Sequence, residues 1–167
     1  MNYGRAFLAG VIGGAVMSLL MFMGRMMGMT TMNLEMAIGS MITQTVGSTS
    51  WMLGFVMHLM ISGLIALIYA FGFENVTHKA GWLTGAGFGL IHLIIAGLVM
   101  GMMGSIHPLM VASQPVPEGR LLAPGFFAMN FGMMTTVAFI MLHIIYGAIV
   151  GAMYPPVQHH AQNEAVA

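Results

Sequence analysis

The sequence predicts an all-α polytopic membrane protein, in which four transmembrane helices form an antiparallel bundle and a short interfacial helix lies in the first long loop. Two observations predict this fold class. Of the 167 residues, 59% are hydrophobic and 5% are charged, and so little charge does not cover the surface of a water-soluble domain of this size. The chain also contains four long apolar runs, each of roughly the 20 residues that cross a bilayer core about 30 Å thick.

The four predicted spans cover residues 6–24, 52–73, 81–104 and 126–154. All Lys, Arg and Glu side chains lie outside them. Charge in the turn ENVTHKA ends the second span, and Pro155 and Pro156 end the fourth because proline interrupts helical hydrogen bonding. We expect residues 1–156 to form one transmembrane domain and residues 157–167 to form a short polar tail.

The first long connection is too long for a tight turn and too polar to span a membrane. Thr30 and Thr31 are possible helix caps within it. Apolar residues follow them at helical spacing, namely Leu34, Ile38, Met41 and Ile42. This pattern predicts the short amphipathic helix, lying in the membrane interface.

Four spans place both long connections on one side of the membrane, the long-loop face, and both termini on the other. Basic residues are divided equally, with Arg5 and Lys79 on the terminal side and Arg25 and Arg120 on the long-loop side. The positive-inside rule therefore favours neither orientation of the protein in the membrane. The Pro-rich and Met-rich composition of the long connections favours an outward-facing long-loop face and cytoplasmic termini.

Glycine spacing predicts how the helices meet. Small residues four apart line one helix face and let two backbones approach closely, which favours association in lipid. Such steps recur at Gly10 and Gly14, Gly24 and Gly28, Gly81, Gly85 and Gly89, Gly97 and Gly101, and Gly147 and Gly151. We therefore expect the helices to form a tightly packed bundle.

Three histidines fall inside the predicted spans, namely His58, His92 and His143. An ionisable side chain is costly in lipid unless it faces the bundle interior and finds a partner. We therefore expect the three imidazoles to turn inward and share a polar site, with His92 and His143 at similar depth. A tyrosine follows His58 and His143 by eleven residues, as Tyr69 and Tyr154, which places each pair on one helix face.

Methionine is the second unusual feature, with 22 residues concentrated towards the long-loop face. Thioether sulfur is a soft ligand suited to Cu(I), and imidazole binds copper, zinc and iron. The histidines within the spans, His58, His92 and His143, are candidate haem or cofactor ligands. The candidate metal ligands are His58, His92, His107, His143, Met100 and Met103. Packing is the alternative role of the methionines, because this side chain is an adaptable apolar filler.

Other classes of function have less support. The few Lys and Arg residues are not clustered, which argues against nucleic acid as a partner. The chain has no cysteine and therefore no thiolate nucleophile or thiolate metal site. It contains no phosphate-binding glycine loop, G-x-S-x-G elbow or H-E-x-x-H helix. We expect a protein that is not an enzyme.

The segments MGMTTMNLEMAIGSM, HLMISGLIALIYAF and LHIIYGAIVGAMY resemble a family of small bacterial four-helix integral membrane proteins of unknown function. The resemblance implies a multi-pass protein of the bacterial inner membrane with a four-helix architecture. It implies no activity, cofactor or site residue.

Three functions are compatible with these features. The first is an intramembrane His and Met site that binds or conducts a soft metal, Cu(I) in preference, or ligates haem through paired histidines. The second is an accessory or assembly subunit that packs against a larger membrane complex or against copies of itself. The third is a carrier of a small molecule or of protons. In each case the lipid bilayer is the surrounding partner.

Overall fold

The structure is a computed structural model that describes residues 1–157, so residues 158–167 of the predicted polar tail lie outside it. Within residues 1–157 the chain forms five α-helices, which are α1 (Tyr3–Met26), α2 (Leu34–Thr43), α3 (Ser48–Gly72), α4 (Trp82–Ile106) and α5 (Met133–Met153). Two short parallel strands, β1 (Met110–Val111) and β2 (Leu121–Leu122), pair in the connection before α5. These strands are the one departure from the all-α class in the described range.

The four helices α1, α3, α4 and α5 are each long and apolar enough to cross a membrane. Their outer surfaces carry large apolar side chains that no other part of the described chain covers, such as Leu19, Ile68, Leu83, Ile91 and Val137. Extensive apolar surface of this kind is typical of contact with lipid. The prediction of a mostly helical chain with four helices able to span a membrane is confirmed.

The transmembrane helices pack in the order α3, α1, α5 and α4, and α2 lies against α3. The two ends of this row, α3 and α4, meet through aromatic side chains next to the short turn that joins them. The ring of Phe88 on α4 packs edge-on against Phe73, with centroids 5.3 Å apart, and lies 5.7 Å from the ring of Tyr69. Further from the turn, a cavity separates α3 from α4.

Glycines set the closest helix crossings, as the four-residue steps predict. Where α4 crosses α5, Gly85 and Gly147 face one another, and a Cβ atom on either would overlap the carbonyl oxygen of the other. Where α1 crosses α3, a Cβ atom on Gly10 would overlap the carbonyl oxygen of Ser62. Close backbone approach gains van der Waals contact, which holds helices together where lipid competes for apolar surface.

Two of the predicted glycine steps have other roles. Gly28 lies beyond the end of α1, in the left-handed region with φ 70°, so it belongs to a turn and not to a helix face. Within residues 1–157, the nearest neighbours of Gly97 and Gly101 are side chains and not a helix backbone. These glycines receive the rings of two phenylalanines from the segment before α5.

The fourth span begins later than predicted, at Met133 instead of residue 126. Residues Phe126–Phe131 form a short 3-10 segment in which Phe127 and Ala128 have left-handed φ values of 53° and 61°. This conformation cannot continue an α-helix. Gly132, with φ 91°, then allows the chain to turn into α5. The apolar side chains of this segment include Phe126 and Phe127, whose rings pack against α4.

The short helix α2 exists as predicted, but its cap differs. The side chain of Asn33 caps it by accepting a hydrogen bond from the N–H of Met36 at 3.0 Å. Thr30 is instead buried, and its hydroxyl accepts hydrogen bonds from the N–H of Met32 and the hydroxyl of Thr135.

The face that α2 turns towards the bundle also differs from the apolar pattern. The buried residues of the helix are Glu35, Ala37, Gly39 and Ser40, whereas Ile42 is exposed. Gly39 meets the backbone of Ser50 at the start of α3 closely enough that a Cβ atom would overlap it. Backbone contact between α2 and α3 therefore decides the rotation of α2 and places a carboxylate inside the protein.

Candidate ligand-binding cleft

A cavity of about 480 Å³, the lateral cleft, lies between α3 and α4, and side chains of α1, α2 and α5 complete its lining. The rim consists of side chains that are also exposed on the outer, lipid-facing surface, namely Ile68, Ile91, Ile95, Val99 and Ile106. The cleft therefore opens sideways, towards the bilayer. Its walls are mostly apolar.

Polar side chains from every neighbouring helix project into this apolar cavity. They are Ser18, Glu35, His58, Ser62, Tyr69, His92, Thr135, His143 and Tyr146. All three histidines of the predicted spans are among them. The expectation that these imidazoles turn inward towards one region is met by the lining of the cleft.

His92 of α4 and His143 of α5 contact one another. Their ring centroids lie 4.8 Å apart, and the rings are inclined at 76°. The Nδ1–H of His143 donates to the carbonyl oxygen of Phe139 at 2.7 Å, which leaves Nε2 as an acceptor on the neutral ring. Nδ1 of His92 lies 3.3 Å from the hydroxyl of Tyr69. The pair thus has polar partners inside the bundle.

His58 is held apart from this pair. Its Nδ1 atom lies 2.9 Å from the hydroxyl oxygen of Ser18 on α1, and both side chains are buried. His58 lines the same cleft as His92 and His143. A single cavity therefore contains the three histidines, but they are arranged as a pair and a separate residue.

Two tyrosines belong to the site. Tyr69 is on the same face of α3 as His58, as the eleven-residue spacing predicts, and it contacts His92. Tyr146 was not singled out by the sequence, although its position three residues after His143 places it on the same helix face. Its hydroxyl donates to the carbonyl oxygen of Ser62, and its ring centroid lies 5.6 Å from that of His92.

Tyr154, the second tyrosine of the eleven-residue pattern, lies outside the cleft at the terminal side of the protein. Its hydroxyl donates to Oε1 of Glu74 at 2.8 Å and accepts a hydrogen bond from the N–H of Asn2 at 3.0 Å. The N-terminal ammonium group lies 3.9 Å from the same carboxylate oxygen. These contacts join the N-terminus, the α3–α4 turn and the end of α5.

Glu35 is a cleft residue that sequence reasoning missed. Its side chain is fully buried, and Oε2 lies 3.4 Å from Nη1 of Arg25, whose side chain is 16% exposed. Among the described residues, Oε1 of Glu35 has no hydrogen-bond partner. The predicted pattern in α2 rested on its apolar residues, of which Leu34, Ile38 and Met41 also line the cleft, and no spacing in the sequence identified this carboxylate.

The structure separates the remaining candidate metal ligands. Met100 and Met103 are buried and line the lateral cleft. His107 does not line it, and both of its ring nitrogens are occupied. Nδ1 accepts from the N–H of Leu109 at 3.1 Å, so Nε2 carries the proton and donates to the carbonyl oxygen of Ala37 at 2.9 Å. These hydrogen bonds join the end of α4 to α2, so the role of His107 is structural.

The histidine pair does not have the geometry of a haem site. Two metal–nitrogen bonds of about 2 Å each separate the nitrogens of two axial imidazoles by about 4 Å, and the ring centroids lie further out. Centroids 4.8 Å apart leave no room for a porphyrin between His92 and His143. Among residues 1–157, no group of three or more His, Asp or Glu side chains is arranged to hold a metal ion. A metal in this cleft would depend on thioether ligands.

No protein-family model, curated protein or solved structure matches the chain.

Proposed function

We propose that this membrane protein binds a small lipid-soluble molecule in the lateral cleft, without catalysing a reaction. The observation that carries the proposal is an apolar cavity that opens towards lipid and contains an inward-facing histidine pair. Binding sites for small molecules typically measure about 300–1,000 Å³ and combine apolar walls with a few placed polar groups. The volume of about 480 Å³ falls in that range.

The polar groups define the chemistry of the ligand. Nε2 of His143 is an acceptor for a ligand hydroxyl or N–H, because Nδ1 carries the proton that bonds Phe139. When the Tyr69 hydroxyl donates to Nδ1 of His92, the Nε2–H of His92 is a donor for a ligand oxygen. The site thus suits a neutral molecule with a hydroxyl or carbonyl group on an apolar body.

The shape of the cleft supports entry from the bilayer. Isoleucine side chains at the rim of α3 and α4 lie at the lipid-facing surface. A hydrophobic molecule already dissolved in the membrane would therefore reach the histidines without crossing the polar loops. The histidines supply the hydrogen bonds that acyl chains do not, and this difference favours the ligand over ordinary lipid.

The experiment is extraction of the detergent-purified protein with organic solvent, followed by mass spectrometry of the extract. The variant is H92F/H143F, in which a somewhat larger aromatic ring replaces each imidazole and the nitrogens are lost. The control is H78N, because His78 is exposed in the α3–α4 turn and asparagine tolerates its left-handed φ of 50°.

We expect one apolar compound to accompany the wild-type protein and H78N and to be depleted at least tenfold in H92F/H143F. Equal amounts in the histidine variant, or no compound in the wild type, would contradict the proposal. Recovery of a second polypeptide in place of the compound would indicate the accessory-subunit function.

A soft metal ion is the second candidate ligand, and one observation favours it. Five buried methionines line the cleft, namely Met17, Met21, Met32, Met100 and Met103. Thioethers are ligands for Cu(I). Copper analysis of the purified protein tests this candidate, and a metal-free preparation after growth with copper would count against it.

For the cellular setting, we propose the bacterial inner membrane with cytoplasmic termini. The resemblance to small bacterial four-helix membrane proteins supports the first part, and the composition of the long connections supports the second. Homo-oligomers or a larger complex are compatible with the apolar outer surface.

A further inference from the structure

A second cavity, the outer cavity, lies at the long-loop face and has a volume of about 420 Å³. It is bounded by residues of the connections, including Thr31, Gln114, Arg120 and Phe131. Four residues line both the outer cavity and the lateral cleft, and these are Met32, Leu34, Met100 and Met103. The wall between the two cavities therefore contains three methionines.

These methionines come from two separate parts of the chain. Met100 and Met103 are three residues apart on α4, so they share a helix face. Met32 precedes α2 and reaches the same wall from the other side. The three residues retain only 4% (Met32), 7% (Met100) and 9% (Met103) of their accessible surface. All three methionines thus border both the outer cavity and the membrane-embedded cleft.

We propose that Met32, Met100 and Met103 bind a single Cu(I) ion at this wall, between the outer cavity and the lateral cleft. The proposal rests on the soft-metal candidate named above and assigns it to thioethers instead of the histidine pair. Thioether sulfur selects soft monovalent copper over hard cations such as Mg²⁺ or Ca²⁺, which prefer oxygen ligands.

The charges near the wall also favour a monovalent ion. Glu35 lines the cleft beside these methionines, and its buried carboxylate is balanced by Arg25 at 3.4 Å. Its second oxygen, Oε1, has no hydrogen-bond partner among the described residues. The ion pair is neutral overall, so it offers a negative oxygen to a nearby cation but no net charge to offset a buried dication.

Packing explains why methionines are buried but not why these three divide two cavities. Met17 and Met21, one turn apart on α1, extend the series of thioethers into the cleft. A chain of soft ligands of this kind would let Cu(I) pass from one thioether set to the next. Loading from the outer cavity is the expected direction of entry, because that cavity adjoins the polar connections.

The test is an anaerobic titration of the full-length protein in detergent with Cu(I), in competition with a chromophoric Cu(I) chelator. The variant is M32L/M100L/M103L, which conserves volume and removes the sulfur atoms. The control is M60L/M133L/M141L, because these methionines are 49%, 74% and 51% exposed on the outer surface. We expect one Cu(I) per chain for the wild type and the control, and at least tenfold weaker binding for the variant.

A further variant and a spectrum separate this proposal from the small-molecule function. H92F/H143F should keep its Cu(I) affinity even where it loses the apolar compound, and X-ray absorption of copper-loaded wild type should show sulfur ligands. Unchanged affinity in M32L/M100L/M103L, no binding by the wild type, or a nitrogen-only spectrum would overturn the Cu(I) site. If the triple variant does not fold, the single variants M32L, M100L and M103L replace it in the titration, and unchanged affinity in all three would overturn the site.

Discussion

His92 and His143 lie on neighbouring helices with their ring centroids 4.8 Å apart, in contact inside an apolar cleft. The α4–α5 crossing makes this contact possible. Gly89 of α4 lies against the carbonyl oxygen of His143, so the two backbones are close at the level of the pair. The glycine step that packs the helices therefore also brings the imidazoles together.

Replacement of Gly85 by alanine should separate α4 from α5. The added Cβ would overlap the carbonyl oxygen of Gly147, and overpacking of this kind costs about 1–3 kcal/mol. G87A is the matched control on the same helix, because no atom of the described chain lies within 4 Å of a Cβ at Gly87. Thermal unfolding in detergent should show a lower midpoint for G85A only. A midpoint equal to that of G87A would mean that the crossing is looser than described.

Removal of one partner of the Arg25–Glu35 pair should destabilise the protein more than removal of both. E35Q leaves the guanidinium of Arg25 without its carboxylate, and the loss of a partner from a largely buried pair costs up to about 3–5 kcal/mol. Because Arg25 is 16% exposed, we expect about 1–3 kcal/mol after solvent screening. The double variant R25M/E35L should recover much of this loss. Additive losses in a double-mutant cycle would show that the two side chains do not interact.

His107 should prove structural. H107F removes the hydrogen bonds to Ala37 and from Leu109, and buried groups left without partners cost about 1–3 kcal/mol. We expect a lower unfolding temperature with unchanged binding of Cu(I) and of the apolar compound. S105A is a control from the exposed end of the same helix. A loss of Cu(I) binding at full stability would instead make His107 a metal ligand.

Tyr154 should make the protein sensitive to alkaline pH. Burial raises the pKa of Tyr154, and the carboxylate of Glu74 raises it further, whereas the hydrogen bond from Asn2 lowers it. Because the folded-state pKa is raised, the neutral phenol is favoured by folding, and stability is lost as pH rises above the ordinary tyrosine value of about 10.

Y154F removes this ionisable group, so its stability should fall less steeply above pH 10 than that of the wild type. Y3F, which changes an exposed tyrosine whose charge makes the smallest contribution to the raised pKa of Tyr154, is the comparison and should flatten the profile less than Y154F. The N-terminal ammonium group near Glu74 is common to all three proteins. The measurement is the unfolding midpoint as a function of pH, and parallel profiles for wild type and Y154F would contradict the expectation.

Orientation can be measured directly because the chain has no cysteine. Val76 is exposed in the α3–α4 turn, and Glu118 is exposed in the connection on the opposite side. With cytoplasmic termini, a membrane-impermeant maleimide should label E118C in intact spheroplasts and V76C only after lysis. The reverse pattern would invert the proposed topology.

Much of the fold could be predicted because lipid imposes simple requirements. Four apolar runs without charge predicted four membrane-crossing helices, and the glycine steps at Gly85 and Gly147 predicted a close crossing. The local backbone conformation could not be predicted from composition in the same way. The left-handed residues Phe127 and Ala128 lie in an apolar stretch that looks helical by composition, so the predicted fourth span began too early.

The candidate site was predictable only in part. The cost of an imidazole in lipid predicted inward-facing His58, His92 and His143, and all three line the lateral cleft. Which two would meet was not predictable, nor was the entry of Glu35 into the same cavity. His107 has a side chain of a type that binds metals, but its hydrogen bonds are those of a structural residue.

The sequence by itself determined the number of helices that are long and apolar enough to cross a membrane and the residue types that must avoid lipid. The tertiary structure alone decided which helices are neighbours, the rotation of each about its axis, and the opening between α3 and α4. The physical reason is that these helices are apolar around most of their circumference. In water-soluble proteins, hydrophobic periodicity indicates which face of a helix is buried. In a lipid-embedded helix both faces are apolar, so the periodicity gives little information on the rotation of the helix about its axis.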